Sequence, residues 1–285
     1  MTAERDFAAV RRILVALDAS PESLAALEYA ANLAVRLEAE LEGLFVEDED
    51  LINLARLPFA REVNRLTQIA RGFDEATLAQ DLRDQAAMAR GALRQIAEAR
   101  HLRWSFRVVR GRIEGAIETA ASSADLLAIG RRRHTIGGRT LGRTSTKMAS
   151  RLTCSVLLAL PTQSRPEAPI AIVDAQSPCG DAALDLALRT ARQEKRRLLI
   201  IVPAEDRESY EERRALIEKG IGKDMNAVRI RPAIGPDGNA LRRALERDQP
   251  ELLLLGCDLA GQLSQELAEF AASMSCPVLV MRGAL

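Results

Sequence analysis

The sequence predicts an α/β protein of two tandem, doubly wound domains, and three observations carry that prediction. Three blocks occur twice in the same order. Ile13-Leu-Val-Ala-Leu-Asp18-Ala-Ser-Pro21 returns as Ile170-Ala-Ile-Val-Asp174-Ala-Gln-Ser-Pro178, Ala124-Asp-Leu-Leu-Ala-Ile-Gly130 as Pro250-Glu-Leu-Leu-Leu-Leu-Gly256, and Leu152-Thr-Cys154-Ser-Val-Leu-Leu158 as Met274-Ser-Cys276-Pro-Val-Leu-Val280. Within each copy, short apolar runs alternate with longer helical patterns, the order that builds a parallel sheet covered by helices on both faces. The length, 285 residues, suits two domains of ordinary size.

The elements follow in order. Ile13–Leu17 is apolar without alternation, as a strand buried on both faces should be. Ser20 can cap a helix that has Pro21 at its first position, and Leu24, Leu27, Ala31, Ala34 and Leu37 recur at helical spacing. Strands are predicted at 41–46, 105–109, 126–129 and 155–160, and helices at 76–100, 114–122 and 144–151. The second copy is shorter. Asp18 and Gly130 are 112 positions apart, whereas Asp174 and Gly256 are 82 apart, so about thirty extra residues sit in the first copy, within about 47–86. The linker Pro161-Thr-Gln-Ser-Arg-Pro-Glu-Ala-Pro169 disfavours regular structure. The domains are therefore placed at 1–162, with the insertion, and 163–285. Ligands of such sheets bind beyond the carboxyl ends of the strands, which is where Asp18 and Gly130 lie.

Composition narrows the function. Forty basic residues balance forty acidic ones, so no global charge argues for nucleic acid or a membrane surface. Locally the charge is uneven: residues 100–151 carry twelve Lys/Arg against three Asp/Glu, while 38–50 are rich in Glu and Asp. Such runs are either solvated faces or an anion site. The start is charged and lacks an apolar signal core, and no apolar run approaches the roughly 18 residues of a membrane span. The four cysteines are far apart along the chain and form no Cys-x-x-Cys pair, which fits a reducing cytoplasm and no zinc site; Cys154 and Cys276 read as core.

With an aspartate ending the first strand, a Gly-containing segment after the fourth, and Cys276-Pro-Val-Leu-Val280 opening the last, the chain resembles the universal stress protein family in its tandem form. The resemblance implies five-stranded parallel sheets of order 3-2-1-4-5. Many members bind ATP through Gly-x-x-Gly, a nine-residue spacer and Gly-Ser/Thr, since glycines admit the phosphates to backbone amides at a helix N-terminus. Here Gly130 and Gly142 match, Arg133 stands in place of the second glycine, eight residues separate it from Gly142, and Arg143 replaces the Ser/Thr, with Thr144 and Ser145 following. In the family pattern Asp18 and Val46 line the adenine and ribose pocket. Two readings stay open. Arg131, Arg132, Arg133, Arg139 and Arg143 remodel the site for a nucleotide or another polyanion, or they fill the old pocket and pair with Asp18, Glu47 and Asp48. The second copy lacks a Gly-Ser/Thr pair, and Glu266 and Glu269 bring negative charge near its last helix, so no nucleotide is expected there and Asp174 is a relic of the fold.

No catalytic motif stands out. His101 and His134 form no cluster, and neither Gly-x-Ser-x-Gly nor Gly-x-x-x-x-Gly-Lys-Ser/Thr occurs. Trp104 reads as core or edge packing. Leu51–Val63, with Ile52, Leu54, Leu57, Phe59 and Val63, is a partner-binding candidate, or a lid packing on its own domain. The resemblance further implies that the last strands of the two copies, 155–160 and 277–281, pair edge to edge, and that chains dimerise. The expected function is that of a cytoplasmic, non-catalytic stress-response protein acting by ligand or partner binding, with a degenerate nucleotide site in the first domain and none in the second. An ATP/AMP sensor using the first domain alone is the alternative, and a slow nucleotide hydrolase ranks last.

Overall fold

A computed structural model of the protein describes residues 10–57, 61–63, 70–72, 75–131, 148, 151–161, 165, 167–221, 227–235, 238–257 and 265–282. The chain divides into two compact units, Val10–Gly130 and one comprising Arg131–Leu285.

The unit Val10–Gly130 is built on β1 (Arg12–Ala16), β2 (Glu40–Asp48), β5 (Trp104–Gly111) and β6 (Leu126–Gly130), all parallel, in the order β5-β2-β1-β6. Ile13, Leu14 and Val15 have no exposed surface, as a central strand covered on both faces requires. β1 leads into α1 (Pro21–Leu37), whose N-cap Ser20 accepts from the Ser23 amide. The buried face of α1 is mostly alanine (Ala26, Ala30, Ala31, Ala34) with Leu27 and Leu33, which lets its backbone lie close to the sheet. Leu24 and Leu37, expected on that stripe, are only half-buried, at its margins. The Asp125 carboxylate accepts from the Arg11 and Arg12 amides at 2.8 and 2.9 Å, tying the start of β1 to the chain entering β6. Trp104 is half-buried on β5, which ends the sheet.

The insertion supplies α2 (Glu49–Ala55), a hairpin of β3 (Arg61–Val63) and β4 (Ala70–Gly72), and the start of α3 (Glu75–Ala99). Ile52 and Ala55 are buried and α2 packs on α3 and β2, whereas Leu54 and Leu57 are 48% and 45% exposed. The segment is thus anchored on its own unit by one face. Phe59 lies outside the described residues. α3 buries Leu78, Leu82, Ala86, Ala89, Leu93 and Ala97, one stripe at helical spacing that rests on β2 and β5. α4 (Ile113–Ala121) covers the other face.

The unit from Arg131 holds β7 (Ser155–Ala159), β8 (Ile170–Val173), α5 (Pro178–Gln193), β9 (Leu198–Ala204), α6 (Arg207–Ile221), β10 (Val228–Ile234), α7 (Gly238–Asp248), β11 (Leu252–Gly256), α8 (Gln265–Ser273) and β12 (Val278–Met281). Its parallel strands run β10-β9-β8-β11-β12, which is the 3-2-1-4-5 order expected for a copy. β7 joins β12 antiparallel, with Val278 opposite Leu158 and Val280 opposite Val156. Pro232 sits on the terminal strand β10, where its missing N–H costs no interior ladder bond. The helix expected at 144–151 lies mostly outside the described residues.

Candidate functional site

In the first copy the carboxyl ends of β1, β2 and β6 converge on the N-terminus of α1. Asp18 leaves β1 exposed to solvent, and its Oδ1 accepts from the Ser20 amide at 3.0 Å and from the Ser20 hydroxyl. The Asp18 amide donates to Ser23 Oγ at 3.3 Å. Between them Ala19 has φ 59°, a left-handed conformation that costs an alanine on the order of 1 kcal/mol and holds the aspartate at the mouth. Val46, half-buried on β2 opposite Val109, and half-buried Glu47 and Asp48 form the neighbouring wall. Gly130 ends β6 where a Cβ would lie 2.4–2.6 Å from the backbone of Glu22 and Ser23, so only glycine admits the first turn of α1 there. Asp18, Val46 and Gly130 therefore lie at the carboxyl ends of neighbouring parallel strands. Arg132, Arg133, Arg139, Gly142, Arg143, Thr144 and Ser145, with His134, lie outside the described residues.

Arg131, read either as an anion contact or as a filler of the old pocket, makes its side-chain hydrogen bonds to backbone carbonyls far along the chain. It is 3% exposed, and its guanidinium donates to the carbonyls of Ala272 at 2.5 Å and Cys276 at 2.9 Å, while its amide donates to the Ala159 carbonyl. A fork of fixed donors matches the Ala272 carbonyl in the last turn of α8 and the Cys276 carbonyl in the chain that follows, and the helix end also favours positive charge. Its side chain holds the end of α8.

The second copy arranges the same positions differently. Asp174 ends β8 and its side chain is 7% exposed. Arg213 from α6 closes on it with two parallel bonds, Nε to Oδ2 at 2.7 Å and Nη2 to Oδ1 at 2.8 Å. That hydrogen bonding pushes the Arg213 pKa above its ordinary value, against the opposing effect of burial. The turn after Asp174 is one residue longer than its counterpart and carries no positive φ among the described residues. Gly256 ends β11 where a Cβ would come within 2.8 Å of the Gly180 backbone and 3.2 Å of Cys179. Ser177 caps α5, accepting from the Gly180 amide at 3.0 Å and donating to the Cys257 carbonyl at 2.8 Å.

The cysteines correct the reading of four isolated thiols. Cys179 and Cys257 are joined by a disulfide across 78 positions, with Cα atoms 5.7 Å apart. Cys276 is buried as expected, and burial pushes its pKa up to about 11. Cys154 is only half-buried. Arg213 had no signal in the sequence, being one of several arginines on a charged helix. The cysteine pair had one: Cys179 follows Ser177-Pro178 and Cys257 follows Gly256, two motif positions that the fold brings together.

The family model of the universal stress protein family matches residues 9–159, more than half of the chain. The chain belongs to the universal stress protein family. Solved structures agree on the fold. A universal stress protein from Archaeoglobus fulgidus superposes with a TM-score of 0.71 at 19% identity, covering 96% of this chain and 97% of its own. A putative universal stress protein from Pseudomonas aeruginosa gives 0.64 at 16%, covering 96% and 94%. The cytoplasmic domain of a prokaryotic cation chloride cotransporter gives 0.51 at 13%, covering 96% and 95%. No curated protein matches significantly. Among the described residues no group of His, Cys, Asp and Glu could hold a metal ion, and no helix is long and apolar enough to cross a membrane.

Proposed function

We propose that this universal stress protein is a cytoplasmic, non-catalytic stress-response protein that works by binding a ligand or partner, and that it consists of two family domains, 1–162 and 163–285. Its ligand mouth belongs to the first domain and comprises Asp18, Val46 and Gly130 with Arg133, Gly142, Arg143, Thr144 and Ser145. The second domain binds no nucleotide. One observation carries this reading: of two equivalent aspartates, Asp174 has a side chain that is 7% exposed and bound by Arg213, whereas exposed Asp18 has Ser20 and Ser23 as its bonded neighbours among the described residues. A buried carboxylate held bidentately has both oxygens engaged and its charge matched by the guanidinium, so it offers a ligand's hydroxyl less than an exposed one does. The last strands of the domains pair within the chain, chains form homodimers, and Leu51–Val63, whose Leu54 and Leu57 are exposed, is the surface for a protein partner.

The exposure of Asp18 also favours the narrower reading, an ATP/AMP sensor that uses the first domain alone. Calorimetric titration with ATP, AMP and pyrophosphate decides between them. Binding by the wild-type chain that Asp18→Ala and Arg133→Gly/Arg143→Ser both weaken supports a remodelled nucleotide site. Binding that appears only in the double variant supports a pocket filled by arginine. Wild-type binding that Asp18→Ala leaves intact overturns the placement of the mouth, and phosphate release above a buffer control overturns the non-catalytic reading.

A further inference from the structure

We propose that Cys179 and Cys257 are a reversible thiol–disulfide site, built where the second copy's ligand mouth would open. The two copies share a close crossing of backbones: Gly130 against Glu22 and Ser23 in the first, Gly256 against Cys179 and Gly180 in the second. Only the second has cysteines flanking that crossing; their counterparts in the first are Glu22 and Arg131. Because both glycines lack a Cβ, the crossing brings Cys179 and Cys257 to a Cα separation of 5.7 Å, within the range a disulfide spans. The Ser177 hydroxyl, bonded to Gly180 and Cys257, fixes the same two segments independently of sulfur. Reduction therefore leaves the two thiols facing each other, ready to close again.

The two sulfurs are not equivalent. Cys179 is the second residue of the sixteen-residue helix α5, where the unsatisfied amides and the helix dipole favour a thiolate, and it is 5% exposed against 1% for Cys257. A small hydroperoxide is the oxidant that suits so narrow an access. The Cys179 thiolate attacks one peroxide oxygen, the O–O bond breaks, an alcohol or water leaves, and Cys179 becomes a sulfenic acid. The Cys257 thiol then attacks that sulfur; the S–S bond forms, the S–O bond breaks, and water departs. Two thiols lose two electrons and two protons in all. A dithiol reductant reverses this by attacking Cys179 sulfur, forming a mixed disulfide that its second thiol resolves. Closure ties the first turn of α5 to the end of β11; reduction releases that tie.

The full-length chain is reduced with a dithiol, freed of reductant, exposed to stoichiometric hydrogen peroxide while folded, then denatured and alkylated. The expected result is that two of the four thiols disappear, that a digest links the Cys179 and Cys257 peptides, and that dithiol restores all four. Four surviving thiols, a link involving Cys154 or Cys276, arrest at sulfenic or sulfinic acid, or a bond that dithiol cannot open in the folded protein would each overturn the proposal. These readouts use the wild-type chain, so they stand even where Cys179→Ser or Cys257→Ser fails to fold.

Discussion

Replacing Arg131 separates a structural arginine from a phosphate ligand. Arg131→Met keeps much of the side-chain volume and removes both donors to the Ala272 and Cys276 carbonyls. A hydrogen bond from a charged donor contributes about 1.5–3 kcal/mol, and positive charge at a helix C-terminus up to about 2 kcal/mol more. Against this stands the relief of no longer desolvating a guanidinium that is 3% exposed. The balance is a loss of about 3–5 kcal/mol, since two buried carbonyls lose their donors while the methionine recovers part of the apolar contact. At an m-value of about 2 kcal/mol/M, the urea midpoint of the transition that melts Arg131–Leu285 falls by about 2 M. Arg131→Lys should lie between, because one ammonium cannot reproduce the fork on both carbonyls. Urea unfolding followed by circular dichroism, with amide exchange read at Val278–Met281, measures the loss, and calorimetry with ATP and pyrophosphate measures affinity. A midpoint within about 0.3 M of wild type, combined with weakened pyrophosphate binding, would refute the reasoning and return Arg131 to the ligand site.

Three further outcomes follow from the geometry. Arg213→Ala leaves the Asp174 carboxylate, 7% exposed, without its bidentate partner; a loss of about 2–3 kcal/mol is expected, discounted because Arg213 keeps some contact with water, and calorimetric melting should show a fall of several degrees. Gly256→Ala drives a Cβ to 2.8 Å from the Gly180 backbone; the helix must shift at a cost of at least about 1–3 kcal/mol, and the Cys179–Cys257 link should form in a smaller fraction of molecules on non-reducing peptide mapping. Cys276, held protonated by burial to about pH 11 from an ordinary 9.0, contributes stability that is fully present below pH 9 and is lost as pH rises from 9 toward 11, where the unfolded chain ionises and the folded one does not. Urea midpoints across that window should drop in wild type and stay flatter in Cys276→Ala; parallel slopes would contradict the burial argument.

Much of this was legible before any coordinates. Ser20-Pro21 announced a capped helix, and Ser20 caps it; Ser177, its counterpart in the repeated block, caps α5 in the same way. The unbroken apolar run at 13–17 announced a strand buried on both faces, because only a strand with helices above and below has no polar side to show, and the run at 126–129 announced another strand. Asp18 and Gly130 could be grouped from the sequence because a parallel sheet delivers its carboxyl ends to one place, whereas Val46 came only from the family resemblance. Arg131 could not be assigned from its neighbours. It opens a run of three arginines, yet it faces carbonyls some 140 positions away, and only the fold determines which arginine of a run is turned inward.

The sequence by itself determined the repeat, the α/β class and the family, since these rest on periodicity and on motifs local to each strand–turn–helix unit. Tertiary structure alone decided how the two copies differ. Two aspartates with nearly identical flanks have opposite fates because one meets an arginine from a helix 39 positions on. Two cysteines 78 positions apart become neighbours because paired glycines let a helix and a strand cross in contact. Pairing and burial depend on what the chain brings from a distance, and that information is not carried by any short stretch of residues.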